Sequence, residues 1–464
     1  MRPIARLCLL LFGLALGLPA AWAQPMDFAT AQQKLRQRSD RLAASQQALQ
    51  GAQLKREAAQ GLGGPVISLG AMAYAYNASL DLNLDPINQS VGGAVAQLPP
   101  PLAGVLGSLP SLPASYTLQR SDTNSTASVS GVWPLYTGGA AEAARRLLGA
   151  QADEAQADAA QTTEEMQTLL VQRYFGAQLT ERAAALREAA LRNIEQHDSA
   201  AQKMLDAGVI ARIERLQARA ALEDARRQAR KARDEAELAA AALARTVKAS
   251  ARVRPTSPLF VLTEPVEPLP HFVDAALAHH PGLAKINAKK GQAEQLHAAQ
   301  EALRQPQVFA FGQRELKTGR SADWVAGVGV RWTLFDPLDR KTLAESSLRS
   351  IDQAQSLYEQ ARSDIELLVE KRWMALEQAR QAFWSQQPAL EVADEVLRLR
   401  QVGLREGTST TQELIDAQLN QAKVQTERAQ AAYEYIKALA ELLEASGQGD
   451  AFERYMARAN TKVE

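Results

Sequence analysis

The stretch Trp324-Val325-Ala326-Gly327-Val328-Gly329-Val330-Arg331-Trp332-Thr333-Leu334 decides how the chain is read. Trp324, Ala326, Val328, Val330, Trp332 and Leu334 alternate with Val325, Gly327, Gly329, Arg331 and Thr333. One side of an extended strand is therefore wholly apolar, and the other is mostly small or polar. A half-buried strand of a soluble sheet has the same period, and the two tryptophans decide between the readings. Eight residues span ~26 Å along a strand, and a tilt near 40° reduces this to ~20 Å, close to the apolar band of a membrane β-barrel. Such bands carry aromatic residues at both rims. Trp324 and Trp332 are candidate membrane-belt residues, as is Trp133 in a partner segment. Tyr74, Tyr76, Phe309 and Phe311 in weaker neighbouring strands are further belt candidates.

The same text occurs earlier in the chain. Trp133-Pro134-Leu135-Tyr136-Thr137 resembles Trp332-Thr333-Leu334-Phe335-Asp336 at an offset of 199. Gln172-Arg173-Tyr174 and Lys371-Arg372-Trp373 keep that offset, as do Gly208 and Gly407 and, beyond them, Glu214 and Glu413. One register held across a strand, a turn and a helix indicates duplication. The first repeat is expected over 24–248, with strands at 66–76 and 123–133, a long loop at 78–120 and a helical hairpin at 140–247. The second is expected over 271–447, with strands at 307–316 and 324–334 and a hairpin at 340–445. Between them, 249–270 is a Pro-rich linker that no helix can cross, and 448–464 is a C-terminal tail. A helix of about 65 residues is ~100 Å long, so the rods must pack on one another rather than hide in a compact core. Pro388 should interrupt the second of them.

Arg2 and Arg6, the apolar run Leu7–Leu18 and Ala21-Trp22-Ala23 form a secretory signal peptide over 1–23, with cleavage expected after Ala23. The single cysteine, Cys8, leaves with it, which excludes disulfides and thiolate chemistry from the mature chain. The 52 Lys+Arg balance 52 Asp+Glu, so no basic footprint for nucleic acid exists. No H-E-x-x-H, G-x-S-x-G or P-loop is present, the chain does not read as an enzyme, and no cofactor or metal site is expected.

Four spanning strands cannot close a barrel, because the smallest membrane barrels have eight, and lipid does not tolerate an open sheet edge. The chain must therefore pool strands with copies of itself.

These features together resemble the TolC family of outer-membrane efflux channels. The most specific pieces are Trp332-Thr333-Leu334-Phe335-Asp336, Pro134-Leu135-Tyr136-Thr137-Gly138-Gly139, and the run from Arg405-Glu406-Gly407-Thr408-Ser409 to Gln418. The fold so implied is mainly α with membrane β: a duplicated helix-strand-strand-helical-hairpin unit, whose homotrimer forms a 12-stranded β-barrel continued by a 12-helix periplasmic α-barrel. The function so implied is the outer-membrane exit duct of a tripartite efflux or type I secretion system. Its partners would be copies of itself, a periplasmic adaptor, an inner-membrane pump of RND or ABC type, and outer-membrane lipid. The resemblance places the 78–120 loop outside the cell, the 249–270 segment at the equator of the α-barrel, and the turns at Gly208 and Gly407 at its periplasmic tips. A periplasmic adaptor or coiled-coil scaffold is the alternative, but adaptors have one helical hairpin where this chain has two.

Glu413 and Asp416 share a helix face just beyond the second tip, and Glu214 takes the place of Glu413 in the first repeat. Acids in a first helical turn also suit the helix dipole. The resemblance assigns Glu413, Asp416 and Glu214 to a lumen-facing gate that selects cations. It assigns Gly208, Arg212, Gly407, Thr408 and Ser409 to adaptor contacts.

Overall fold

The computed structural model describes residues 24–96, 112–316 and 323–463. The signal peptide expected over 1–23 lies outside the described residues.

The first repeat runs β1 (Gln24–Met26), α1 (Phe28–Arg38), α2 (Asp40–Ala58), β2 (Val66–Asn83), α3 (Asp85–Ala96), β3 (Ser115–Tyr136), α4 (Ala140–Asp206) and α5 (Arg212–Thr246). The intervening segment forms β4 (Val253–Pro255) and β5 (Leu259–Val261). The second repeat runs α6 (Leu269–His279), α7 (Pro281–Ala302), β6 (Gln307–Glu315), β7 (Trp324–Arg331), α8 (Arg340–Ser385), α9 (Gln387–Glu406) and α10 (Thr411–Ala445). The chain closes with α11 (Phe452–Arg458) and β8 (Thr461–Val463). It divides into two compact units.

The first unit is helical and comprises the residues up to Ala59, Arg145–Leu296 and the residues from Glu345 onward. The 67 residues of α4 are unbroken, as an Ala-, Gln- and Glu-rich run without proline permits. The copy is split at Gln386 into α8 and α9, because Pro388 offers no N–H to the preceding turn. In α10, Leu414, Ala417, Val424, Tyr435, Ala438 and Leu442 are buried as one seam. Two polar residues interrupt that seam, and each finds a partner. The Gln421 amide donates to Asp394 Oδ1 at 2.7 Å, and the Arg428 guanidinium lies 5.1 Å over the Phe383 ring.

The core of this unit is built from segments that the sequence presents as linker and tail. β4 pairs in parallel with β1, and β5 pairs antiparallel with β8. Phe28, Phe175, Phe260 and Phe452 are all buried and pack with neighbouring centroids 5.2–6.0 Å apart. Each such ring contributes about 1.5–3 kcal/mol by leaving water. Tyr174 Oη donates to Met26 O (2.7 Å) and accepts from the backbone N–H of Thr256 (3.1 Å) and Ser257 (2.9 Å). It thereby reinforces the Thr256 N–H to Met26 O bond (3.0 Å) that continues the β1–β4 pairing. The Glu267 carboxylate accepts from Tyr455 Oη (2.5 Å) and pairs with Arg458 (2.8 Å), holding α11 to the Pro-rich segment.

The second unit, Gln60–Ala144 and His297–Ala344, contains an antiparallel sheet in the order β2-β3-β6-β7. Its strands differ from the sequence expectation in two ways. β2 and β3 are 18 and 22 residues long and pair without a break from Val66↔Val132 to Asn83↔Ser115. The connection therefore shrinks from the expected 78–120 to 84–114, and α3 lies within it. β7 stops at Arg331 rather than 334, because β6 begins at Gln307, opposite Arg331, and leaves Trp332 no strand to pair with. The Trp332 indole N–H donates instead to Arg304 O at 3.2 Å.

Candidate functional site

The sheet has two chemically distinct faces. Across the four strands Leu69, Val129, Arg314 and Trp324 lie level on one face, and Trp133, Ala310 and Val328 lie level further along it. Ile67, Ala326 and Val330 complete this face, and Ile67, Trp324, Val328 and Val330 are each at least 66% exposed. A surface so apolar is expected to meet a partner or a membrane. The other face carries Ser68, whose hydroxyl lies 2.8 Å from that of Ser130, together with Gln313, Glu315 and Arg331. Phe309 and Phe311 also lie there, opposite Gly329 and Gly327. A Cβ at Gly329 would come within 2.7 Å of the Phe309 ring, so those positions accept only glycine without rearrangement. Phe309, Phe311, Tyr74 and Tyr76 are thus on the face opposite Trp324 and Trp133. The strand register sets this parity, so these four residues cannot share one belt with Trp324 and Trp133. Trp332 is exposed but lies beyond the end of β7.

The two helical tips repeat one backbone design with different caps. Gly208 and Gly407 have φ of 71° and 75°, the left-handed conformation that glycine adopts without strain. In the first tip Val209 N–H donates to Met204 O (2.8 Å), and in the second Thr408 N–H donates to Gly403 O (2.8 Å). These bonds satisfy the last carbonyls of α4 and α9. Glu214 and Glu413 both fall at the third position of the next helix. The residue capping α10 is Thr410, whose hydroxyl accepts from Glu413 N–H (3.2 Å) while its own N–H donates to Glu413 Oε2 (2.9 Å). Arg400 adds an ion pair to Glu413 at 3.2 Å. The Thr410 N–H, and secondarily the Arg400 charge, hold the Glu413 carboxyl below the usual range. The residue at the start of α5 is Ala211, whose methyl group cannot accept a hydrogen bond and so closes no such box around Glu214. Asp416, one turn further along α10, accepts from the Gln412 amide at 2.8 Å.

The hairpins meet just behind the tips. Ile415 is fully buried with Ile194, Ala201, Ala218 and Leu222. The Gln418 amide lies 3.2 Å from His197 Nε2. Arg215 pairs with Asp198 at 2.6 Å across the first hairpin, both largely buried, rather than with the adjacent Glu214. Gly208, Arg212, Gly407 and Thr408 are exposed and Ser409 is half-buried. Sequence reasoning places Val209 within the 207–212 tip but passes over Ile213 and Leu216; the three are 71%, 61% and 52% exposed at the first tip. Their signal was three apolar residues crowded around a turn, where polar ones are the rule.

Residues 272–448 match the family model for outer membrane efflux proteins. Among curated protein sequences nothing matches. Several solved structures share the fold. The CmeC outer membrane channel of Campylobacter jejuni is 14% identical with a TM-score of 0.72, covering 91% of this chain and 86% of its own. VceC, the outer membrane protein of Vibrio cholerae, is 14% identical with a TM-score of 0.71, covering 91% and 96%. The MtrE outer membrane channel of Neisseria gonorrhoeae is 16% identical with a TM-score of 0.68, covering 91% and 89%.

Proposed function

From the match of residues 272–448 to the outer membrane efflux protein family, we propose that the chain is a member of that family and that three copies join edge to edge to form an outer-membrane exit duct of a tripartite efflux or secretion system. The observation that carries this reading is the four-stranded sheet with one apolar, Trp-bearing face and two outer strands, β2 and β7, whose outer edges have no partner among the described residues. Three such sheets supply 12 strands, an even number above the minimum for a membrane barrel, and leave no edge in lipid. The duct is passive, and its cargo is set by the pump behind it. Nothing in the two-hairpin architecture favours the adaptor reading. Cell fractionation followed by gel electrophoresis with and without heating tests the proposal. An oligomer in the outer membrane that dissociates on boiling is expected, and recovery as a periplasmic monomer would overturn it.

The tips form the gate in this reading. Because the capping box occupies Glu413, the charges free to face a narrow lumen are those of Asp416 and Glu214. Carboxylates ringed about a threefold axis favour cations and bind divalent ions. Asp416→Asn with Glu214→Gln should reduce cation selectivity and divalent block in single-channel recordings, with Glu413→Gln changing them less. Equal selectivity in all variants would remove the gate assignment. Gly208, Arg212, Gly407, Thr408 and Ser409, with Val209 and Ile213, form the end that a periplasmic adaptor would cap. The exposed aliphatic pair gives that end apolar surface of the kind that marks an interaction site.

A further inference from the structure

The β2–β3 ribbon continues well beyond the rest of its sheet, and its amphipathic character inverts where it does so. β6 ends at Glu315, opposite Ser128, so among the described residues the pairs from Met72↔Thr126 to Asn83↔Ser115 have no third strand. That protruding ribbon is ~40 Å long at about 3.3 Å per residue. Within the four-stranded part the odd-numbered residues of β2, Ile67 and Leu69, are apolar, whereas the even-numbered face is mixed, with the small Ser68 and Gly70 beside Val66. Beyond Met72 the parity reverses. The even face carries Tyr74, Tyr76, Leu80 and Leu82, with Leu118 opposite Leu80 and Tyr116 opposite Leu82. The odd face carries Asn77, hydrogen-bonded to Gln119 (3.3 Å), and Asp81, hydrogen-bonded to Thr117 (2.6 Å).

The even face of the protrusion is continuous with the Ser68–Ser130 face of the sheet, the one turned to the lumen in the proposed barrel. The odd face, apolar where it would meet lipid, becomes polar once the strands leave the bilayer. An apolar face on the lumen side of a closed symmetric barrel points toward the axis, where the nearest surfaces are the same faces of the other two copies. A two-stranded ribbon alone in water is marginal, so this one needs a partner for its apolar side. Leu80, Leu118 and Tyr116 are 57%, 50% and 53% exposed in the single chain, so that side is largely open among the described residues.

The geometry points to a second interface between copies: the three ribbons gather about the axis through the Tyr74–Leu82 face and form an apolar collar over the outer mouth of the duct. The inference rests on the trimeric reading above. Arg120 and Asp122, on the same face nearer the bilayer, line the wet inner wall of that collar.

The mature chain lacks cysteine if the leader is removed, so single cysteines report cleanly. In outer-membrane preparations Leu80→Cys and Leu118→Cys should form intersubunit disulfides on mild oxidation about tenfold faster than Ser79→Cys and Gln119→Cys, because collar contact raises their effective concentration. An unheated gel of the same samples reports whether the oligomer itself is present, which separates failure of the collar from failure of the trimer. The quadruple change of Leu80, Leu82, Tyr116 and Leu118 to Ser should raise single-channel conductance with the oligomer intact. Three results in an intact oligomer would overturn the collar: equal cross-linking from both faces, unchanged conductance of the Ser variant, or protection of Leu80→Cys from maleimide without cross-linking. The last would show that the 84–114 connection or lipid covers the ribbon instead.

Discussion

Duplication gave the two tips the same backbone and the same acid, yet one residue separates their chemistry. Thr410 closes a capping box with Glu413, whereas Ala211 leaves Glu214 without one. A box of this kind contributes about 1 kcal/mol to the first turn of its helix. Ala211→Thr should therefore slow amide exchange over 212–216, and Thr410→Ala should accelerate it over 411–416, as read by hydrogen–deuterium exchange mass spectrometry. A second acid acts through burial rather than capping. Glu164 on α4 accepts from Gly449 N–H at 2.9 Å. Burial, reinforced by the nearby Asp450 and Glu444 charges, pushes its pKa up from 4.5 to about 7. Asp450 itself is paired with Arg36 at 2.6 Å. Since the folded form holds the proton more tightly than the unfolded one, this contribution to stability is complete below about pH 4.5 and is lost as pH rises through about 7. The melting temperature of the detergent-solubilised protein should fall across that window. Glu164→Gln, which stays neutral, should flatten the profile, and an identical slope would show that another group titrates.

At the level of elements, the strands and hairpins were legible because their periods are strong, and the details that escaped are those the register decides. Alternation alone identified β7, but its end at Arg331 is set by where β6 begins, a tertiary fact. The Tyr74–Leu82 extension of β2 was obscured because its apolar residues change parity, which reads locally as the end of a strand. The Pro-rich 249–270 segment read as a linker because its short strands gain their partners from residues some 200 positions away in sequence. Of the site, the tip glycines and acids could be located from the repeat, but the box around Glu413 could not be separated from a simple dipole effect, since both place an acid in the first turn. The face assignment is directly testable. Val328→Arg puts a charge on the apolar side and should cost about 2–4 kcal/mol if that side meets hydrocarbon, reducing assembled protein in the outer membrane. Ser128→Arg on the opposite side should assemble normally, and equal loss from both would refute the assignment.

For the whole molecule, the duplicated chain is not mechanically symmetrical. The 67 residues of α4 form one uninterrupted rod, while its copy is jointed at Gln386 between α8 and α9. A helix resists flexure along its length, but a one-residue gap beside a proline concentrates compliance at a single point. Any load that a docked protein places on the tips is therefore shared unevenly. The α4 rod behaves as a strut, and the jointed rod supplies an elbow more than 20 residues behind the Gly407 turn, well away from the surface being pulled.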